Sequence, residues 1–425
     1  MPLLNSLRAV SREACPKEAG VSRLHITPFR SLFLFLAIAL FVTISCTQAG
    51  LDRGFNGWGG PAISGDSIYQ PSKKGSDRAS LRVFSAFNGT DEGRFTAGGE
   101  PIAIYGTPLI VDIPGGGTMI YTTMVYSGDG GEFGRIFAVR KGETAESAWE
   151  FPSQDQNIVG PIFGGVAYSP DTNTVYFGSD DGNLYALDAL DGSPKIGTGG
   201  AFFPAKSPIW STPTVDRGIV YFGTMGGTLF GVREEGGKVM EFKAGGAIAA
   251  KPVVADGVVY VGSYNKNYYA IDPSGRVRWS FPTGNWIWAE ALLAQDPRGG
   301  AVIFVGSLDG VIYALEANSG TPRWASPVGQ GIRGKPVLAS RSLTSGRTSS
   351  LIDQVLVVGS RNGMVFGFDA NTGTAAWEQP FAAGERVLAP LAARNNVVFV
   401  SNTDYDLFAI DASTGQSIPN WVTGQ

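Results

Sequence analysis

The side chains best suited to acid–base, nucleophilic or metal chemistry are scarce in this chain. Its 425 residues contain one histidine, His25, and two cysteines, Cys15 and Cys46. The sequence after Cys46 therefore has no imidazole or thiol for a histidine-based triad, a cysteine nucleophile or a His/Cys metal site. Carboxylates remain, and the aspartates that could offer oxygen ligands to Ca²⁺ are Asp180, Asp181, Asp309, Asp404 and Asp406. Because they stand in predicted hairpin turns, a turn-forming role is the favoured interpretation.

Cys46 follows an apolar run that is typical of an export signal. Residues Ser31–Ser45 carry no charge, follow several arginines, and are fewer than the roughly 20 residues of a membrane-spanning helix. The run ends in Thr43-Ile44-Ser45-Cys46, which resembles a bacterial lipobox and predicts lipidation of Cys46. Two alternatives are cleavage after Ala49 and retention of the run as an uncleaved anchor. Each alternative makes the rest of the chain extracytoplasmic, either membrane-anchored or secreted.

The chain beyond this segment is one repeating unit in eight copies. Each copy contains a short alternating run with an alanine or glycine at its centre. These central residues are Ala86, Ala138, Ala186, Gly231, Ala270, Ala314, Gly367 and Ala409. They recur about every 46 residues, which is the size of a four-stranded propeller blade.

Each unit resolves into four strand signals and no long helical period. The first strand starts near a proline, the second ends in Gly-Ser or Gly-Thr, and the third is the alternating run. Between the second and third strands stand dipeptides such as Asp181-Gly182 and Asp309-Gly310, which predict type I′ turns. The fourth strand is predicted to carry an aromatic residue, which is Phe95, Trp149, Phe242, Trp279, Trp324, Trp377 or Trp421.

The sequence therefore predicts an all-β, eight-bladed propeller of four-stranded blades. We assign it residues 54–425, after a targeting segment at 1–46 and a linker at 47–53. An open propeller would leave the strands of its end blades unpaired. We therefore expect ring closure where Phe55–Pro61 meets the last strand around Trp421, in a monomer.

Two segments resemble the tryptophan-docking repeat of pyrroloquinoline quinone (PQQ) propellers, approximately A-x-D-x-x-T-G-x-x-x-W. They are Ala314–Trp324 and Gly367–Trp377, while Ala270–Trp279 is one residue shorter and Ala409–Trp421 two residues longer. In the third blade, Ile196 replaces the tryptophan. The resemblance implies a structural role in which each tryptophan packs on the next blade. The docking residues so implied are Trp279, Trp324, Trp377 and Trp421.

The family resemblance implies two functional branches. Quinoprotein dehydrogenases hold PQQ and Ca²⁺ above the channel and commonly carry adjacent cysteines, a catalytic aspartate and Glu/Asn/Asp ligands. The other branch resembles the outer-membrane assembly lipoprotein BamB, a non-catalytic envelope scaffold. This chain has no cysteine pair in its blades, and the blades are close to minimal length. We expect a non-catalytic scaffold without cofactors; the alternatives are a PQQ/Ca²⁺-dependent alcohol or sugar dehydrogenase and a cell-wall glycan-binding module.

The loops before the first strands contain one variable column that could bind a partner. A leading Ile or Val in each copy is followed by Tyr105, Trp210, Ala249, Trp288, Arg333 or Leu388, and Trp286 adds a further aromatic residue. Interfaces are enriched in aromatic residues and arginine, so Tyr105, Trp210, Trp286, Trp288 and Arg333 are candidate contacts. The alternative is that the aromatic side chains plug the channel. We place the Asp-Gly turns on the opposite rim.

A second candidate cluster precedes the prolines of three successive blades. Lys251, Glu290 and Lys335 would be neighbours in a ring and could bind an anion or acidic peptide in the channel. A structural ion pair is the favoured alternative. The chain's net charge of −4 argues against nucleic acid as a partner. We therefore expect envelope proteins as partners, together with the lipid bilayer through the N-terminal anchor.

Overall fold

A computed structural model of the protein describes residues 57–421, apart from 74–77, 129, 144–145, 154–157, 198, 297–298, 342–350 and 352. These residues form eight antiparallel sheets that follow one another along the chain as the blades of a β-propeller. The predicted fold class is confirmed. The predictions for Cys46 and the targeting segment lie outside the described residues. Within the described ranges, no helix is long and apolar enough to cross a membrane.

The first four blades contain seventeen strands. Blade 1 comprises β1 (Ala62–Ser64), β2 (Ser67–Ser72), β3 (Ser80–Ser85) and β4 (Asp91–Phe95). Blade 2 comprises β5 (Pro101–Ala103), β6 (Leu109–Ile113), β7 (Gly117–Gly128), β8 (Gly131–Arg140) and β9 (Trp149–Phe151). Blade 3 comprises β10 (Ala167–Ser169), β11 (Thr174–Gly178), β12 (Asn183–Asp188) and β13 (Ala201–Pro204). Blade 4 comprises β14 (Thr214–Asp216), β15 (Ile219–Gly223), β16 (Thr228–Arg233) and β17 (Lys238–Lys243).

The remaining blades follow the same order, and blade 8 has three strands among the described residues. Blade 5 comprises β18 (Val253–Ala255), β19 (Val258–Gly262), β20 (Asn267–Ile271) and β21 (Val277–Pro282). Blade 6 comprises β22 (Leu292–Gln295), β23 (Ala301–Gly306), β24 (Val311–Glu316) and β25 (Pro322–Pro327). Blade 7 comprises β26 (Val337–Ser340), β27 (Gln354–Gly359), β28 (Met364–Asp369) and β29 (Phe381–Ala382). Blade 8 comprises β30 (Ala392–Arg394), β31 (Val397–Ser401) and β32 (Leu407–Asp411).

Strand register explains the small residue at the centre of each third strand. Ala270 pairs with Tyr260 of the second strand, and Gly231 pairs with Tyr221. A small residue opposite a large aromatic ring lets the sheet face pack without a clash. In blade 1 the residue that pairs with Tyr69 is Val83, so the prediction of Ala86 for this column is wrong by three positions.

The hairpin turns between second and third strands are longer than predicted. The Ser179 amide bonds the Asn183 carbonyl at 3.1 Å, which closes a three-residue loop instead of a two-residue one. Only Gly182 of this loop has a positive φ, at 85°. This is the pattern of a type I turn followed by a left-handed glycine, so the type I′ prediction is wrong.

Tryptophan indoles join neighbouring blades. In five tryptophans the indole Nε1 donates a hydrogen bond to a backbone carbonyl of the next blade. The pairs are Trp149 to Ala189 (3.1 Å), Trp279 to Ala317 (2.9 Å), Trp324 to Ala370 (3.3 Å), Trp377 to Ala412 (2.8 Å) and Trp421 to Ala86 (3.3 Å). This is the docking contact that the family resemblance implied.

The docking contact also explains the glycine of the repeat. Gly415 has a φ of +74°, and a Cβ placed there would lie 2.5 Å from a ring carbon of Trp377. Gly373 has a φ of +71°, and a Cβ placed there would lie 2.5 Å from a ring carbon of Trp324. A side chain at either glycine would displace the indole and strain the backbone, so the motif needs glycine for two independent reasons.

Three details of the docking prediction differ from the structure. Trp377 and Trp421 lie outside assigned strands, although Trp377 is buried in the core between blades 7 and 8. Trp324 is only partly buried. In blade 4 the residue that pairs with Gly231 is Met240, not Phe242, and Met240 is buried. The docking position is therefore set by register and accepts a flexible apolar side chain in place of tryptophan.

Ring closure joins blade 8 to blade 1 without a shared strand among the described residues. The Trp421 indole bonds Ala86, and Arg394 Nη2 lies 2.7 Å from Asp66 Oδ1. Gln70 Nε2 also donates to Ser401 Oγ at 2.9 Å. An apolar cluster that contains Ile68, Phe84, Phe399 and Trp421 fills the space between the two blades. Trp421 lies at this seam as predicted, but its partner is Ala86 and not the segment Phe55–Pro61. Residues 55 and 56 lie outside the described residues, and the Gly59 amide bonds the Ile104 carbonyl of blade 2 at 3.3 Å.

Candidate functional site: the central channel

Loops and hairpin turns share one face of the propeller, which we call the turn rim. The amide of Tyr264, in the β19–β20 turn, bonds the Ala247 carbonyl at 2.9 Å. Leu308, in the β23–β24 turn, bonds the Trp286 carbonyl at the same distance. These bonds join each second-to-third-strand turn to the loop that precedes a first strand. The prediction that the Asp-Gly turns occupy the opposite rim is therefore wrong.

Eight side chains, one from each blade, face the channel just inside the turn rim. We call them the channel plug. They are Trp58, Tyr105, Phe163, Trp210, Ala249, Trp288, Arg333 and Leu388. Six of them belong to the variable column predicted from the sequence, whereas Trp58 and Phe163 were not predicted. The signal was present, because Trp58 precedes Pro61 by the same spacing as Tyr105 precedes Pro108, and Phe163 follows Ile162 as Trp210 follows Ile209.

Aromatic contacts make the plug continuous around the channel. The ring centroids of Trp58 and Tyr105 are 4.4 Å apart, those of Tyr105 and Phe163 5.0 Å, and those of Phe163 and Trp210 4.8 Å. Trp288 contacts both Trp58 and Trp210 at about 6 Å. Tyr105 and Trp210 are each 5% exposed. These residues therefore form the interior of the plug and offer little surface to a partner.

Trp210 is fixed to a hairpin turn as well as to its neighbours. Its indole Nε1 donates to Asp180 Oδ1 at 2.7 Å. This bond gives one of the turn aspartates a role in holding the plug. It also satisfies the one polar group of a buried tryptophan, as burial of an indole requires.

Arg333 is the charged member of the plug and is 4% exposed. Its guanidinium carbon lies 3.8 Å from the ring centroid of Trp288 and 4.1 Å from that of Trp58. Cations are attracted to the faces of tryptophan rings, and more strongly where water is excluded. The sequence placed Arg333 on an exposed rim, and its burial contradicts that placement.

Among the predicted aromatic and arginine contacts, Trp286 and Trp288 are the two that remain partly exposed. It stacks on Tyr264 with ring centroids 4.6 Å apart and an interplanar angle of 5°. Tyr264 in turn contacts Trp288 at 5.3 Å. The plug is thus continuous with an aromatic pair that reaches the turn rim at blades 5 and 6.

Small residues follow the plug in every blade, because neighbouring backbones approach there. A Cβ at Gly334 would lie 2.1 Å from the Ala389 carbonyl oxygen of the next blade. The corresponding residues elsewhere are glycine, alanine or serine. Close backbone approach narrows the channel and holds the plug side chains against one another.

A cavity of about 330 Å³ lies in the channel beside the plug. Its polar lining consists of Thr107, Thr212, Lys251, Glu290 and Lys335. Lys335 Nζ lies 2.6 Å from Glu290 Oε1, so two of the three predicted cluster residues form an ion pair. Lys251 lines the same cavity. No carboxylate of the described residues lies within ion-pair distance of its ammonium group.

The residues present do not suit a calcium-bound quinone. A Ca²⁺ ion takes roughly six to eight oxygen ligands. The cavity lining has one carboxylate, Glu290, and in the described part of the chain no three His, Cys, Asp or Glu side chains converge. Among the turn aspartates, Asp309 accepts hydrogen bonds from the Gly284 amide at 2.7 Å and the Tyr313 hydroxyl at 2.9 Å. Burial and this bond to Asp309 raise the pKa of Tyr313.

Comparison with known families is consistent with this architecture. A family model described as "Outer membrane protein assembly factor BamB" matches residues 201–285 and 309–422. These segments contain the docking residues Trp279, Trp324, Trp377 and Trp421. These two segments of the propeller are therefore PQQ-like repeats. No curated protein gives a significant match to this chain.

Two solved structures resemble this propeller in fold. The computationally designed protein Ika8 has a TM-score of 0.60 at 13% identity, with coverage of 83% of this chain and 96% of Ika8. BamB from Moraxella catarrhalis has a TM-score of 0.56 at 16% identity, with coverage of 82% of this chain and 92% of BamB. At these identities the likeness shows the fold alone.

Proposed function

We propose that this propeller is a non-catalytic, monomeric, extracytoplasmic scaffold that binds proteins of the bacterial cell envelope. The observation that carries the proposal is the chemistry of the channel. The plug fills the channel with aromatic side chains and Arg333, and the adjoining cavity has one carboxylate, which is paired with Lys335. The blades also lack histidine and cysteine. The match to a family model named for an assembly factor supports a binding role.

The experiment that tests the scaffold role compares the two rims by photo-crosslinking in intact cells. A photoreactive phenylalanine analogue replaces Trp286 at the turn rim in one variant and Phe87, which is 67% exposed in the β3–β4 turn, in another. We expect crosslinked species of discrete mass from one rim only. The control position is Val277, which is exposed on the outer strand β21.

Two outcomes would contradict the scaffold proposal. One is an absence of protein adducts from either rim, with the protein instead retained on purified peptidoglycan. The other is dye-linked oxidation of an alcohol or sugar after the purified protein is incubated with PQQ and Ca²⁺. The second outcome would assign the dehydrogenase activity directly.

Membrane anchoring through Cys46 is part of the proposal, and it makes a separate prediction. The lipobox-like sequence Thr43–Cys46 supplies a thiol at the position that lipidation requires. We expect Cys46→Ala to release the protein from the membrane fraction, or to leave it with its N-terminal segment uncleaved. Fractionation and intact mass spectrometry measure both effects. Unchanged membrane association and unchanged mass would exclude lipidation at this cysteine, and Cys15→Ala serves as the matched control.

A further inference from the structure

We propose that the channel cavity binds a small organic dianion, such as a dicarboxylate. This site is separate from the rim surfaces that the scaffold role requires. The proposal stands on the charges that line the cavity, on the orientation of its hydroxyl groups, and on its size.

The lining of the cavity carries an excess of positive charge. Lys251 and Lys335 contribute two cations, and Glu290 contributes one anion, while the Arg333 guanidinium at the edge of the lining is held between Trp58 and Trp288. The chain as a whole has a net charge of −4, so this excess is local to the channel. Low-dielectric walls strengthen the attraction between such cations and a ligand of opposite charge. Two lysine ammonium groups in one cavity can each bind one carboxylate of a ligand with two negative charges.

Two threonines complete the set of donors. Thr107 Oγ1 accepts a hydrogen bond from the Gly60 amide at 3.1 Å, and Thr212 Oγ1 accepts one from the Gly165 amide at 2.7 Å. A hydroxyl oxygen that accepts from the backbone still has its own hydrogen to donate. Both threonines line the cavity, so their O–H groups are held in place as donors to a ligand.

Lys251 and Lys335 have different roles in this arrangement. Lys335 is 2.6 Å from Glu290 and is partly neutralised by it. Lys251 precedes blade 5, which is next to the blade of Glu290. No carboxylate among the described residues is within ion-pair distance of its ammonium group. Charge-assisted hydrogen bonds to carboxylates are among the stronger ones. We therefore assign Lys251 as the main anchor for one carboxylate of the ligand.

The size and the apolar part of the lining restrict the ligand further. A volume of about 330 Å³ corresponds to about ten waters, at roughly 30 Å³ each. Pro61, Pro108, Leu109 and Leu391 provide apolar surface in the same cavity. A free inorganic anion would leave this surface uncovered, whereas a compact carbon skeleton with two carboxylates would contact it.

Calorimetric titration with isophthalate tests the proposal on the purified protein. Isophthalate carries two carboxylates on a small ring, and its neutral diamide has a similar shape without charge. We expect saturable one-to-one binding of isophthalate, weaker binding of benzoate and none of the diamide. Lys251→Met should weaken isophthalate binding about tenfold or more, because it removes a charge-assisted hydrogen bond. Lys243→Met is the matched control, since Lys243 is 77% exposed on the outer strand β17.

Glu290→Gln gives an independent readout in the opposite direction. It removes the one negative charge of the lining and frees Lys335 for the ligand, so binding should tighten. If Lys251→Met does not fold, the affinity of Glu290→Gln for isophthalate tests the proposal by itself. Failure of the wild-type protein to bind isophthalate would overturn the proposal. Equal affinities of Lys251→Met and Lys243→Met, or weaker binding by Glu290→Gln, would also overturn it.

Discussion

Trp377→Ala will lower the free energy of unfolding by about 3–5 kcal/mol, the usual cost of truncating a large buried aromatic residue. Trp377 is 6% exposed and belongs to the core between blades 7 and 8. The substitution also leaves the Ala412 carbonyl without the indole donor that lies 2.8 Å away. Urea denaturation of the purified propeller, followed by far-ultraviolet circular dichroism, measures the loss.

The same measurement on Trp324→Ala separates the contribution of the docking hydrogen bond from that of burying the ring. Trp324 makes the equivalent bond to Ala370, at 3.3 Å, but it is only partly buried. We expect a smaller loss than for Trp377→Ala, and a loss under about 0.5–1 kcal/mol for the exposed control Val277→Ala. Equal losses for the two tryptophans, or no loss at Trp377, would show that the docking contact does not depend on burial between blades.

Arg333→Glu will destabilise the propeller by more than about 3 kcal/mol, because it buries a carboxylate among the electron-rich faces of Trp58 and Trp288. Arg333→Met is the matched variant, since it keeps a flexible, unbranched side chain and removes the guanidinium group without introducing a negative charge. We expect it to lose less than half as much stability. Thermal unfolding with tryptophan fluorescence reports both the melting temperature and the environment of the plug.

The Arg333 variants also decide between two positions for this side chain. A surface substitution usually changes stability by less than about 0.5 kcal/mol. A change of that size for Arg333→Glu would mean that the guanidinium lies at the rim and is available to a partner. A large loss for glutamate with a small loss for methionine would instead assign the effect to the introduced negative charge.

The fold could be predicted from the sequence because each blade repeats the same local sequence pattern. The alternating third strand and its following turn are short-range patterns, and eight of them fix the architecture. The register of strand pairing was harder to predict from the sequence. Val83 and Met240 occupy the positions assigned to Ala86 and Phe242. Valine stands where the other copies have alanine or glycine, and methionine where several copies have tryptophan, so residue type pointed to the nearby Ala86 and Phe242 instead.

The plug illustrates what the sequence could not resolve. Aromatic residues and arginine in a variable column are typical of both an interface and a packed channel. Only the closed ring brings Trp58, Phe163 and Trp288 from blades far apart in sequence to a common axis. The long hairpin of β7 and β8 in blade 2 was not predicted, although Met119–Tyr126 is a run of β-branched, aromatic and methionine residues that favours a long strand.

The seam between blades 8 and 1 has a consequence for the order of folding. Its hydrogen bonds join residues far apart in the chain: Gln70 and Ser401 are separated by 331 positions, and Ala86 and Trp421 by 335. Contacts within a blade span a few tens of residues and close quickly, whereas closure of a long loop costs more chain entropy and is slower. Blade 1 is synthesised before the other blades and yet is the one whose neighbour arrives last. During synthesis its face toward blade 8, with Ile68 and Phe84, therefore stays uncovered until blade 8 emerges.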